Sequence, residues 1–271
     1  MGFFCHADII TGVVGIFDSG SGGLTVMKAV RELLPTCDIV YFGDIAHAPY
    51  GSKSQEELSR YTAESLALLK DRGAERIISA CNSVSASLAL SLFDAFDLEP
   101  GNIIEMVGPT VSYFKHSSER MVLCATPATI KAGIYQNAFR MIGRDVAAVA
   151  IPDLAGAIEF AEGEDRQRAL IREAFKNIEW NKYDVLVLAC THYPLALDLF
   201  KEVVSQSGGD ASRLVIFDPA IAVAERAQKQ FWPQEVRDAK TTFVISQDSE
   251  PFRALVAQLF PDAAGNIEVV G

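Results

Sequence analysis

The chain has 271 residues, with 24 Lys and Arg against 35 Asp and Glu for a formal net charge of −11. Its 49% apolar and 22% charged composition is that of a folded globular protein, long enough for one large or two small domains, and excludes a disordered one. No cluster of five or more basic residues offers a polyanion surface, so nucleic acid is not an expected partner.

The opening MGFFCHADIITG has no basic segment ahead of an apolar run and does not read as a secretory signal. The longest apolar runs, VLVLAC (185–190) and VAAVAI (146–151), fall far short of the roughly 18 residues of a membrane span, so no membrane partner is expected. From Gly12 onward, β-rich runs alternate with helical patterns. Strands are expected at GVVGIF (12–17), DIVYF (38–42), RIISA (76–80), IIEMV (103–107), MVLCA (121–125), VAAVA (146–150), DVLVLA (184–189), RLVIF (213–217) and TFVIS (242–246). Their apolar runs are continuous, as in sheets covered on both faces. Between them, SQEE at 54–57 is a capping box opening a helix that Gly73 closes. This alternation predicts an α/β fold with mainly parallel sheets, whose ligands sit beyond the carboxyl ends of the strands.

Those strand ends contain an internal repeat. RIISACNS (76–83) and VLVLACTH (185–192) both run into Ala-Cys followed by small or polar residues. An earlier strand in each half enters a polar turn, at Asp18 and at Thr126. Asp18 to Cys81 spans 63 positions and Thr126 to Cys190 spans 64, and the halves are offset by 108 and 109. Two similar α/β domains related by pseudo-two-fold symmetry are therefore expected, residues 1–102 with 216–271 and residues 103–215, with the active site in the cleft between them. The first crossing is expected around FDLEPGN (96–102).

The five cysteines, at 5, 37, 81, 124 and 190, are odd in number and form no CxxC pair. That pattern argues for reduced thiols in the cytoplasm rather than a disulfide framework or a thiolate metal cage. Cys37 and Cys124 lack polar company and read as structural. Cys81 and Cys190 each end a strand before an expected helix, where backbone N–H groups and the helix dipole would lower the thiol pKa below about 8.5. Thiols at equivalent ends of paired domains would face each other across one cleft. Two acid–base groups on opposite faces of a carbon are what inversion of a stereocentre requires. A cysteine-nucleophile hydrolase, needing one thiol and a fixed His, and a non-catalytic amino-acid-binding module are the alternatives.

GIFDSGSGGLTV (15–26), YFGDIAHAPYGSKS (41–54), ACNSVSA (80–86) and LACTHYPL (188–195), in this order and spacing, resemble the glutamate racemases of the aspartate/glutamate racemase family. The resemblance implies cofactor-independent 1,1-proton transfer between L- and D-glutamate, supplying D-glutamate to peptidoglycan, with a small-molecule substrate as partner. It implies Cys81 and Cys190 as the two bases, assisted by Asp18 on one side and by His192 with Glu159 on the other. Asp18, Ser19, Tyr50, Gly51, Asn82, Ser83, Thr126, Thr191 and His192 match its substrate-contacting positions. Short hydroxyl, amide and strand-end N–H donors suit a small dianion. Ser83, Val84, Ala125, Ala189 and His47 depart from the family's usual residues, which keeps an aspartate or broader amino-acid racemase as an alternative.

The glycines at 15, 20, 22 and 23 do not make a nucleotide loop. Ser21 stands where a phosphate loop needs Lys, and Thr25 where a dinucleotide fingerprint needs Gly or Ala. Cys190 and His192 have no companion Cys or His cluster, so no metal is expected. Assembly is left open between a monomer and a homodimer.

Overall fold

A computed structural model describes residues 12–85, 96, 99–210, 212–231 and 238–271. Cys5 and residues 97 and 98 of the expected crossing segment lie outside this set. Among the described residues, ten strands form two sheets: β1 (Val13–Asp18), β2 (Asp38–Gly43), β3 (Ala74–Ser79), β4 (Ile103–Ile104), β5 (Met121–Ala125), β6 (Val146–Ala150), β7 (Val185–Ala189), β8 (Val215–Phe217), β9 (Thr241–Ile245) and β10 (Ile267–Val269). The first sheet has the order β10-β9-β2-β1-β3-β4 and the second β6-β5-β7-β8. Every pairing is parallel.

The sequence repeat is thus a topological one. β2-β1-β3-β4 and β6-β5-β7-β8 are the same arrangement, with β9 and β10 added outside β2. Alternate residues of each central strand feed cores on opposite faces. In the second sheet, Val122 and Cys124 join the cluster around Phe175 and Phe200, whereas Met121, Leu123 and Ala125 join that around Tyr135 and Phe139. Cys37 and Cys124 are both buried in apolar clusters.

Local chemistry sets the element boundaries. Ser54 and Glu57 form the reciprocal capping box expected for the helix Gln55–Asp71, and Gly73 follows that helix with φ +80°. In β1, a Cβ on Gly15 would lie 2.9 Å from Ala74 Cβ and 3.0 Å from Leu69 Cδ1, so glycine is what lets this helix press onto the sheet. The strand expected at 103–107 stops at Ile104. The Glu105 carboxylate turns back to accept N–H bonds from Val107 at 2.5 Å and Gly108 at 2.6 Å, starting the helix Val107–Tyr113 instead.

β4 pairs with β3 in the first sheet and β8 pairs with β7 in the second. The chain therefore passes between the sheets after Ile104 and returns after Phe217. Among the described residues, no helix is long and apolar enough to cross a membrane.

Candidate active site

The polar residues singled out in the sequence lie at the carboxyl ends of four strands: Asp18 ends β1 and Ser19 follows it, Cys81 to Ser83 follow β3, Thr126 follows β5, and Cys190 to His192 follow β7. Tyr50 and Gly51 lie on a short 3-10 turn after β2, and Glu159 ends the helix Leu154–Glu159 after β6. All twelve are buried.

The two halves meet through these groups. Thr191 Oγ1 donates to Asp18 Oδ2 at 3.0 Å, and Ser83 Oγ pairs with Thr126 Oγ1 at 3.0 Å. Glu159 Oε2 accepts from both the N–H and the hydroxyl of Ser21, each at 2.8 Å, and lies 2.6 Å from His192 Nε2. His192 Nδ1 is 3.9 Å from Cys190 Sγ, and Cys81 Sγ is 3.8 Å from Ser19 Oγ. Asp18 Oδ1 accepts from Gly20 N–H at 3.1 Å, beside the Gly23 start of the next helix.

Glycines permit this close approach. A Cβ on Gly20 would sit 2.5 Å from the Glu159 carboxylate, and one on Gly51 would sit 2.7 Å from Thr126 Cβ. One on Gly22 would meet His192 Nδ1 and Thr191 Oγ1 at 2.7 Å and the backbone nitrogen of His192 at 2.8 Å. Tyr41 Oη, donating to the carbonyl of Gly20 at 2.6 Å, holds the turn from below. The helix bearing Glu159 is flanked by non-glycine residues of positive φ, Asp153 at 62° and Ala161 at 53°.

Burial and charge divide the ionisable groups. Desolvation opposes charge on Glu159, but the His192 hydrogen bond and charge, with the Ser21 donors, outweigh it and hold the carboxyl below its ordinary range. Desolvation likewise opposes charge on His192, yet its bonds to Cys190 and Glu159 raise its pKa well above the ordinary value. A buried carboxylate–imidazolium pair thus stands beside Cys190. Burial raises the pKa of Asp18, with Glu159 adding to this and His192 opposing it.

Cys81 reverses the sequence expectation. Burial first, then the charges of Asp18 and Cys190, push its thiol up to about 12. Strand-end donors from Ser19 and Ser83 act in the expected direction but are outweighed. Asn82–Val84, just after it, forms a 3-10 turn.

Three supporting groups were not anticipated. Ser21 anchors Glu159 from the opposite half. Tyr135 Oη donates to Asn82 Oδ1 at 2.5 Å. Asp44 accepts from Tyr50 Oη at 2.6 Å and Ser246 Oγ at 2.7 Å, with His47 Nδ1 at 2.9 Å, and so fixes the turn carrying Tyr50 and Gly51. The GD step at 43–44, polar at a strand end, is the sequence signal that would have found Asp44; nothing local marks the other two.

Breaking the Glu159–His192 pair has a pH signature. Because its folded pKa is depressed, Glu159 contributes stability above its unfolded value of about 4.3 and loses it as pH falls through the folded one. Glu159→Ala is expected to cost about 3 kcal/mol at pH 7, by leaving a buried imidazolium uncompensated. The gap to the unsubstituted protein in urea unfolding should narrow toward pH 3. A gap independent of pH would assign the loss to packing.

Two repeated α/β halves thus each place a strand-end thiol among buried polar groups, and the charge of Cys190 bears on Cys81. The chain belongs to the Asp/Glu/hydantoin racemase family, whose model matches residues 21–227. A glutamate racemase of Aquifex aeolicus is 40% identical over 184 residues, covering 67% of this chain and 71% of that protein. One from Desulforudis audaxviator is 33% identical over 261 residues, covering 91% and 93%. The fold matches a crystal structure of glutamate racemase from Francisella tularensis in complex with D-glutamate, with a TM-score of 0.82 over 97% of this chain and 98% of that one, at 24% identity.

Proposed function

We propose that this chain is a cofactor-independent glutamate racemase working by two-base proton transfer at the α-carbon. The observation that carries the reading is the pairing of Cys81 and Cys190 at equivalent strand ends, each with its own assisting groups, close enough for the charge of one to shift the other. Cys190 as thiolate, beside the His192–Glu159 pair, takes the α-proton of L-glutamate. The Cys81 thiol, beside Asp18, gives its proton to the opposite face of the carbanion. D-glutamate runs the same steps backward. Asp18, Ser19, Tyr50, Gly51, Asn82, Ser83, Thr126, Thr191 and His192 bind the amino-acid framework and its two carboxylates. The two domains are residues 1–102 with 216–271 and residues 103–215, each built around one of the sheets. The product serves peptidoglycan synthesis in the cytoplasm.

Incubating L-glutamate with the protein in D2O tests this. Optical rotation should decay to zero while deuterium enters Cα, without added pyridoxal phosphate, metal or nucleotide. Activity lost on exhaustive chelation and restored by metal would overturn the cofactor-independent mechanism. Equal kcat/KM for aspartate would overturn the assignment of glutamate.

A further inference from the structure

Asn82 follows the proposed base Cys81, and its side chain is only half satisfied. Oδ1 accepts from Tyr135 Oη at 2.5 Å, whereas Nδ2, though buried, has no hydrogen-bond partner among the described residues. A buried amide N–H₂ without an acceptor costs about 1–3 kcal/mol, so its persistence points to a ligand acceptor.

The phenol comes from the other half. Gly133, with φ +67°, both ends the helix Pro127–Ala132 and starts the helix Ile134–Met141, a junction that sets Tyr135 one residue into the second helix. The ring is fully buried in the apolar cluster with Phe114, Leu123 and Phe139. Burial, with the Glu105 carboxylate nearby, raises the phenol pKa, so the hydroxyl keeps its proton and acts as a donor. An amide has one acceptor end and one donor end, nearly equal in shape. A donor on Oδ1 fixes which end is which. With Tyr135 occupying Oδ1, both N–H groups remain for an anion; the flipped amide would turn a carbonyl oxygen toward it.

We infer that Tyr135 is a positioning residue, reaching across the cleft to orient the Asn82 amide so that its N–H groups bind a substrate carboxylate. This rests on the proposed racemase reading. Tyr135→Phe keeps the ring and removes only the hydroxyl. It is expected to raise KM for both glutamate enantiomers about tenfold, the loss of one well-aligned hydrogen bond to a charged group, while kcat changes less than about threefold. In an Asn82→Ala background the same substitution should leave KM unchanged, because the amide it orients is gone. A merely structural role would instead lower stability and add its effect in both backgrounds. Should Tyr135→Phe fold poorly, the Asn82 side-chain amide resonances of the unsubstituted protein, assigned by their loss in Asn82→Ala, give a second readout. They should shift on adding D-glutamate. Unchanged KM in Tyr135→Phe, additive effects in the double substitution, or amide resonances indifferent to D-glutamate would each overturn the inference. Absence of glutamate racemisation by the unsubstituted protein would overturn the underlying reading as well.

Discussion

Replacing either Cys81 or Cys190 with Ala is expected to abolish racemisation in both directions, because each turnover of the proposed mechanism uses one thiolate and one thiol. Loss by a factor of about 10⁴ or more, over 5 kcal/mol of transition-state stabilisation, is the expected scale for removing a group that forms or breaks a bond to the transferred proton. The two variants will differ when abstraction is made visible. With glutamate analogues carrying a leaving group on Cβ, the carbanion expels that group irreversibly. Cys81→Ala should still eliminate from the L-configured analogue, and Cys190→Ala from the D-configured one. The opposite pattern would exchange the faces assigned to the two bases. Elimination from both enantiomers by one variant would mean that one base serves both faces, and the paired-thiol mechanism fails.

The second large effect comes from a residue with no side chain. Gly22→Ala places a Cβ 2.8 Å from the backbone nitrogen of His192, a neighbour that cannot rotate away. The glycine turn must then withdraw from the second half, stretching the Ser21–Glu159 and Asp18–Thr191 bonds together. Displacements near 1 Å at a catalytic cleft cost roughly 100-fold, and kcat/KM should fall by that order with the fold intact by circular dichroism. Gly101→Ala, where a Cβ meets nothing within 4 Å, is the matched control and should be close to neutral. Equal activity in the two variants would show that the halves need not close this tightly.

The parts of this cleft legible in the sequence are those set by a strand and the turn after it. A continuous β-run ending in small polar residues, twice, at matching intervals, marks the strand ends before Cys81 and Cys190 and the repeat around them. Ser21 and Tyr135 were not legible because their partners lie 138 and 53 positions away, and such pairings exist only once the halves meet. The Cys81 thiol was misjudged for a related reason. Its local donors can be read from neighbouring residues, but burial and the facing charges, which prevail, belong to the assembled cleft. β10 escaped notice because its three residues, at the sheet edge, are partly or fully exposed and present no apolar run. The early end of β4 depended on one side chain, Glu105, competing for backbone N–H groups that the strand pattern had assigned to the sheet.

The buried Cys81 thiol, pushed up to about 12, also gives the resting protein a direction. In the proposed two-base cycle a thiol so reluctant to ionise is the form that would receive the L-enantiomer, with Cys81 as donor. In that proposed cycle, conversion of L- to D-glutamate would leave the proton inventory reversed, with Cys81 stripped and Cys190 loaded. Before the next L-glutamate can react, the two sulfurs must trade places in protonation, through solvent or through a D-glutamate consumed in reverse. On the proposed mechanism the free protein would carry a record of which enantiomer it last processed, and the rate at which water erases that record would be a step of the cycle in its own right.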